Sequence, residues 1–143
     1  KSVADLVFWT SGVIRINEKF RKAGPNVIKT GQLSLDDMPC IYSAADLMLF
    51  PSWQENCPLA PLEAAASGIP VIFRDIPEYR ELYENTYLKA GSTQEFIEMT
   101  SLMISNDEYY SRGKEISARL ITQFDKNEIR MRLISLYKSL MIS

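Results

Sequence analysis

Two short runs, Leu47-Met48-Leu49-Phe50 and Val71-Ile72-Phe73, are apolar at every position. Strands apolar on both faces are the signature of a buried parallel sheet. Around them, short apolar strands alternate with helical stretches at the spacing of parallel α/β folds. Asp5–Trp9 reads as a first strand, followed by a polar turn at Thr10-Ser11-Gly12. Ile16–Ala23 has helical spacing and stops at Gly24-Pro25-Asn26. Val27–Thr30 is a strand ending at Gly31. Ser34 is the expected N-cap of the next helix, with Asp36 and Asp37 in its first turn and Pro39 near its start. Leu59–Ser67 reads as a helix closed by Gly68, with Pro70 beyond it. Glu78–Tyr83 is a short helix and Tyr87-Leu88 a last short strand. Helices over Thr93–Ser105, Asp107–Gln123 and Lys126–Met141 complete the chain. With no internal repeat, low-complexity tract or linker, residues 1–143 are expected to form one domain.

Composition narrows the chemistry. The chain has no histidine, which removes the usual general base, the commonest zinc ligand and every Ser–His or Cys–His pair. A net charge of −2 gives no electrostatic reason to expect nucleic acid as a partner. Cys40 and Cys57 are too few for a disulfide framework, so a reduced cytoplasmic setting is the default. No apolar run approaches the roughly 20 residues of a membrane-spanning helix. The chain opens at Lys1 without a signal peptide, and reads as a piece of something longer.

Ligands of open parallel α/β sheets bind at the carboxyl ends of the strands, beside helix N-termini. Three loops occupy such ends: Gly31–Ser34, Pro51–Pro58 and Arg74–Pro77. The middle one is the richest. A helix starting near Pro58 or Leu59 turns its first free N–H groups toward this loop, where they favour an anion such as a diphosphate. Glu55 precedes that end and Glu63 follows about one turn into the helix. Carboxylates accept hydrogen bonds from sugar hydroxyls, so the pair suits a nucleotide sugar, with hydroxyls on both sides of a diphosphate. Spacing by itself equally describes a solvated loop glutamate and a partner of the helix dipole.

The surroundings decide between those readings. The segment Asp46–Pro70 reads DLMLFPSWQENCPLAPLEAAASGIP. It strongly resembles the family 4 glycosyltransferases of the two-Rossmann-domain (GT-B) fold. The matching pieces are Pro51-Ser52, the Glu-x7-Glu pair Glu55 and Glu63, Ala64-Ala65-Ala66 and Gly68-Ile69-Pro70. The likeness runs from about Asn26, through Gly31 and Tyr42–Asp46, to the C-terminal helices. It implies a Rossmann-like parallel sheet flanked by helices, the C-terminal half of a GT-B enzyme. It also implies retaining transfer of a hexose from a nucleotide-diphosphate sugar, with UDP-glucose as the type of donor, to a lipid or polysaccharide acceptor. Glu55 would bind the donor hexose and act as the catalytic group, and Glu63 would bind the ribose hydroxyls. Backbone N–H groups around Leu59 and Ala60 would meet the diphosphate. Gln32 and Leu33 would hold the base through main-chain groups. The nucleotide sugar is then a co-substrate. No metal is expected, since no Asp-x-Asp motif occurs. The partner would be an N-terminal acceptor domain of the full-length chain, without which the piece would bind donor weakly and be inactive.

Where the family usually carries Gly-Phe-Gly, this chain has Asn56-Cys57-Pro58. Pro58 has no N–H, so phosphate contacts shift to later amides or to Asn56. The same region looks closest to a bacterial subgroup that adds glucose to diacylglycerol. Arg15 and Lys19 read as solvated helix charges rather than as the family's diphosphate clamp. Without histidine, Cys57 is not expected to be a nucleophile. Trp53 is expected to pack under its loop rather than stack on a base or sugar, Asp75 to cap the turn at Ile76-Pro77 rather than face the sugar, and Tyr79 and Tyr83 to pack rather than contact the acceptor. The last helix carries Ile129, Leu133, Leu136 and Leu140 with Arg130, Arg132 and Lys138 between them. It is expected to pack on its own domain, the alternative being peripheral contact with the inner face of an anionic membrane. The remaining functional alternatives are a non-catalytic nucleotide-sugar-binding module and an epimerase-like half. The missing histidines count against the latter.

Overall fold

A computed structural model of the chain describes residues 8–11, 27–84 and 86–142. Within them the element order is β1 (Phe8–Ser11), β2 (Val27–Gly31), α1 (Met38–Ala44), β3 (Met48–Phe50), α2 (Leu59–Ala66), β4 (Val71–Arg74), α3 (Pro77–Leu82), β5 (Leu88–Ala90), α4 (Thr93–Ser105), α5 (Asp107–Thr122) and α6 (Lys126–Ile142). All strand pairs are parallel, as the doubly apolar runs require. β1 pairs with β2, and β3, β4 and β5 form a three-stranded sheet in that order.

The central strand β4 is buried at all four positions. Its alternating side chains feed two separate cores. Val71 and Phe73 join Leu62, Ala64 and Ala65 of α2 and Tyr79 of α3. Ile72 joins Phe96 and Met103 of α4 on the opposite face. The expected layer of helices on both faces of a parallel sheet is therefore what forms. β3, at the sheet edge, is only half-buried, less than its apolar run suggests. A Cβ at Gly113, where α5 packs on α4, would stand 2.5 Å from the flexible Cε end of Met103 and 3.3 Å from Cβ of Pro70.

Element boundaries hold to within a few residues for most of the chain. Thr10 and Ser11 do not turn; they pair with Lys29 and Gly31, because backbone pairing in the ladder outweighs their polarity. Ser34 caps a turn one step before α1 rather than the helix itself. Its Oγ accepts from the Asp37 N–H at 3.2 Å and donates to the Asp37 carboxylate at 2.6 Å. Asp37 becomes the N-cap, with Pro39 in the first turn. Gly68 follows the C-cap of α2 at φ +85°, the left-handed position that favours glycine. The expected helix Ile16–Ala23, its stop at Gly24-Pro25-Asn26, and Arg15 and Lys19 lie outside the described residues, as do residues 5–7.

The largest departure is α6. Every residue from 126 to 141 is exposed, including Leu133, Leu136 and Leu140. None of these positions of the helix is buried among the described residues. Its apolar residues are spread around the cylinder, so no single face is offered to the neighbouring elements.

Candidate functional site

The loop between β3 and α2 stands on an aromatic floor. Phe73 lies with its ring centroid 5.3 to 5.4 Å from those of Tyr79, Tyr83 and Tyr87, and 6.2 Å from Phe50, the residue that leads into the loop. Tyr79 and Tyr83 are fully buried, the packing role expected of them. Burial pushes both phenols above their ordinary range. Glu55 adds to this at Tyr79, and Cys57 and then Glu55 at Tyr83.

α2 begins at Leu59 with Pro58 as its N-cap, and no side chain caps it. A helix start normally leaves four N–H groups without partners. Here the N-cap and the third helical residue are prolines, Pro58 and Pro61, and contribute none. Leu59 and Ala60 thus carry the available donors, and neither N–H has a partner among the described residues. The first turn also holds no acidic residue, so the positive end of the helix dipole is unanswered by its own side chains.

Each glutamate is held in place by a hydroxyl. Ser52 Oγ donates to Oε1 of Glu55 at 2.8 Å across the half-buried loop. Tyr42, on α1, donates through its hydroxyl to Oε2 of exposed Glu63 at 3.0 Å. Burial first, then the bond to Glu63 and its charge, push the Tyr42 phenol up to about 12. Along the chain the two glutamates bracket the free amides of Leu59 and Ala60, and each carboxylate accepts from one hydroxyl. Asn56 is exposed on the same loop. Gln32 is exposed and Leu33 half-buried on the turn between β2 and α1. No hydrogen bond joins either one to the Glu55 loop among the described residues.

Trp53 does not pack under the loop. It is 77% exposed, because the space beneath is taken by Arg74, whose guanidinium lies 3.7 Å from the indole centroid. Asp75 does not cap the turn of Ile76-Pro77 either. Its carboxylate pairs with Arg80 at 2.8 Å and accepts from the Tyr87 hydroxyl at 3.3 Å, and the Arg80 bond holds it below its ordinary range. Cys57 is exposed with a free thiol. Tyr42 and Arg74 are the residues sequence reasoning missed. A tyrosine near the end of a short helix gives no signal of its target. An arginine directly after the apolar run Val71-Ile72-Phe73 is a signal, since charge at the end of a buried strand needs a reason.

The family model described as Glycosyl transferases group 1 matches residues 2–106. The alpha-galactosylglucosyldiacylglycerol synthase of Streptococcus pneumoniae is 26% identical over 113 residues, 79% of this chain and 30% of that protein. The processive diacylglycerol alpha-glucosyltransferase of Acholeplasma laidlawii is 28% identical over 95 residues, 65% of this chain and 29% of that protein. The chain thus spans less than a third of either relative. In structure it resembles Anabaena HepE, solved in complex with UDP and glucose. The TM-score is 0.75 at 19% identity, over 93% of this chain and 40% of that one. That likeness is one of fold.

Proposed function

The chain belongs to the glycosyl transferases group 1 family and has the GT-B type of α/β fold; on that premise we propose that it is the C-terminal, donor-binding half of a retaining hexosyltransferase. One observation carries the reading. The amides of Leu59 and Ala60, the free donors at the start of α2, stand along the chain between two glutamates that each accept from a hydroxyl. The amides suit the diphosphate. Glu55 suits the hydroxyls of the reacting hexose, Glu63 those of the ribose, and Asn56 an outer phosphate oxygen. Gln32 and Leu33 read the base through their main chain.

The reaction breaks the bond between the anomeric carbon and the diphosphate and forms one to an acceptor hydroxyl, whose proton leaves with the phosphate. Charge on the departing diphosphate is met by the helix end, so no metal is required. The donor is UDP-glucose-like and the acceptor a lipid or polysaccharide. Both relatives are named for diacylglycerol glycolipids, and HepE was solved with UDP and glucose, which supports this choice. The acceptor site belongs to the rest of the longer protein, and this chain alone binds donor weakly without turnover. The exposed apolar side chains of α6, such as Met131, Leu136 and Met141, support a partner there. Its four cations, Lys126, Arg130, Arg132 and Lys138, against the single acid Glu128 favour as a second reading electrostatic contact with an anionic membrane surface on the cytoplasmic side.

Calorimetric titration with a panel of nucleotide sugars, with and without EDTA, tests the proposal. Binding should survive EDTA and fall in Glu63→Ala and Glu55→Ala. Unchanged affinity in Glu63→Ala would sink the role given to that residue.

A further inference from the structure

Arg74 ends the central strand β4, and it is the one buried cation among the described residues, 6% exposed. A guanidinium taken out of water needs compensation, and a carboxylate is the usual source. None supplies it here. Neighbouring Asp75 is engaged by Arg80 and Tyr87, Glu55 is held by Ser52, and Arg74 makes no ion pair among the described residues. Its Nε instead donates to the Pro51 carbonyl at 3.0 Å. One aromatic face, Trp53, lies 3.7 Å from the guanidinium carbon, and a second, Phe96, at 5.6 Å.

Pro51 and Trp53 straddle Ser52, the residue whose hydroxyl holds Glu55. From this geometry we infer that Arg74 is a positioning residue for the donor loop, tying segment 51–53 down at both ends so that Ser52 keeps Glu55 oriented toward the hexose. The inference rests on the donor-site reading of Glu55. A purely structural role fits poorly. An apolar side chain of similar length would fill the end of a buried strand without the desolvation cost. What an arginine adds there is direction: a fixed N–H for one carbonyl and a flat face for one indole. The stacking also explains how Trp53 stays in one orientation while mostly exposed.

The test uses the full-length protein in a Trp9→Phe background, so that Trp53 is the reporter within this domain. Arg74→Met should keep the melting temperature or raise it, yet weaken nucleotide-sugar binding about five- to twentyfold. Acrylamide should then quench Trp53 more readily. Trp53→Ala, a surface change safe for folding, should weaken binding by a similar factor. Arg74→Lys keeps a cation but loses the planar fork, and should fall between. In the double variant Arg74→Met/Trp53→Ala the losses should not add, since both remove one brace. Wild-type affinity in Trp53→Ala, or additive losses, would overturn the inference. If the parent protein binds no nucleotide sugar, the donor-site reading fails. The quenching comparison still decides whether Arg74 holds the loop.

Discussion

Replacing Tyr42 by phenylalanine tests the link between α1 and the start of α2. The ring stays, so no cavity opens, and only the hydroxyl that donates to Glu63 at 3.0 Å is lost. Hydrogen bonds to charged groups contribute about 1.5–3 kcal/mol when the freed partner is stranded. Glu63 is exposed and returns to water, so the cost falls to about 1 kcal/mol. For a domain of this size that is a drop of about 3 °C in melting temperature. A second effect appears only with ligand. The released Glu63 side chain must be ordered again on binding, at about 0.5–1.5 kcal/mol, which weakens the donor roughly two- to tenfold. Thermal unfolding by circular dichroism reads the first effect and calorimetric titration the second. In Tyr42→Phe/Glu63→Ala the binding loss should equal that of Glu63→Ala alone. Should melting and donor affinity both stay at wild-type values, Tyr42 does not hold Glu63 and the reasoning fails.

Three further outcomes are expected. Ser117→Ala leaves the buried Val71 N–H, now donating to Ser117 Oγ at 3.0 Å, without an acceptor; urea unfolding should show a loss of about 1–3 kcal/mol. Phe73→Ala removes the centre of the aromatic floor and should cost about 3–5 kcal/mol, abolishing donor binding along with the fold at moderate temperature. Alkali should unfold the protein in a defined window. Tyr42 and Tyr87 are raised by burial from 10.0 to about 12, so their neutral forms stabilise the fold fully below pH 10. That contribution is lost as pH rises toward 12. Absorbance at the phenolate band should show these two tyrosines ionising together with the loss of ellipticity, whereas early ionisation in a folded protein would contradict their burial.

Much of the fold was written in local patterns. Val71-Ile72-Phe73 is apolar on both faces, and the sheet it occupies is parallel with both faces covered. The helix over 59–66 was legible from Gly68-Ile69-Pro70, because only a left-handed position needs glycine there. At Ser34 and Asp75, where local signals misled, a competing side-chain partner was the cause. Ser34 had the right chemistry for a helix cap, but its hydroxyl closes a turn with Asp37. Asp75 looked like a turn residue until Arg80 and Tyr87 reached it from 5 and 12 positions away. Apolar spacing in α6 reads as a packed helix, yet its positions 126–141 are exposed.

The candidate site divides along the same line. Sequence alone determined the ingredients at the carboxyl end of β3: a helix start stripped of two donors by Pro58 and Pro61, and a glutamate on either side. These follow from residue type and short spacing, and from the resemblance carried by Asp46–Pro70. Only the tertiary structure decided how they are held. It put Tyr42 against Glu63 across 21 positions and Arg74 under Pro51 across 23. It also turned Trp53 out to solvent because a guanidinium already filled the space below. Side chains that meet across such separations are chosen by how helices and strands pack, and no local pattern encodes that choice.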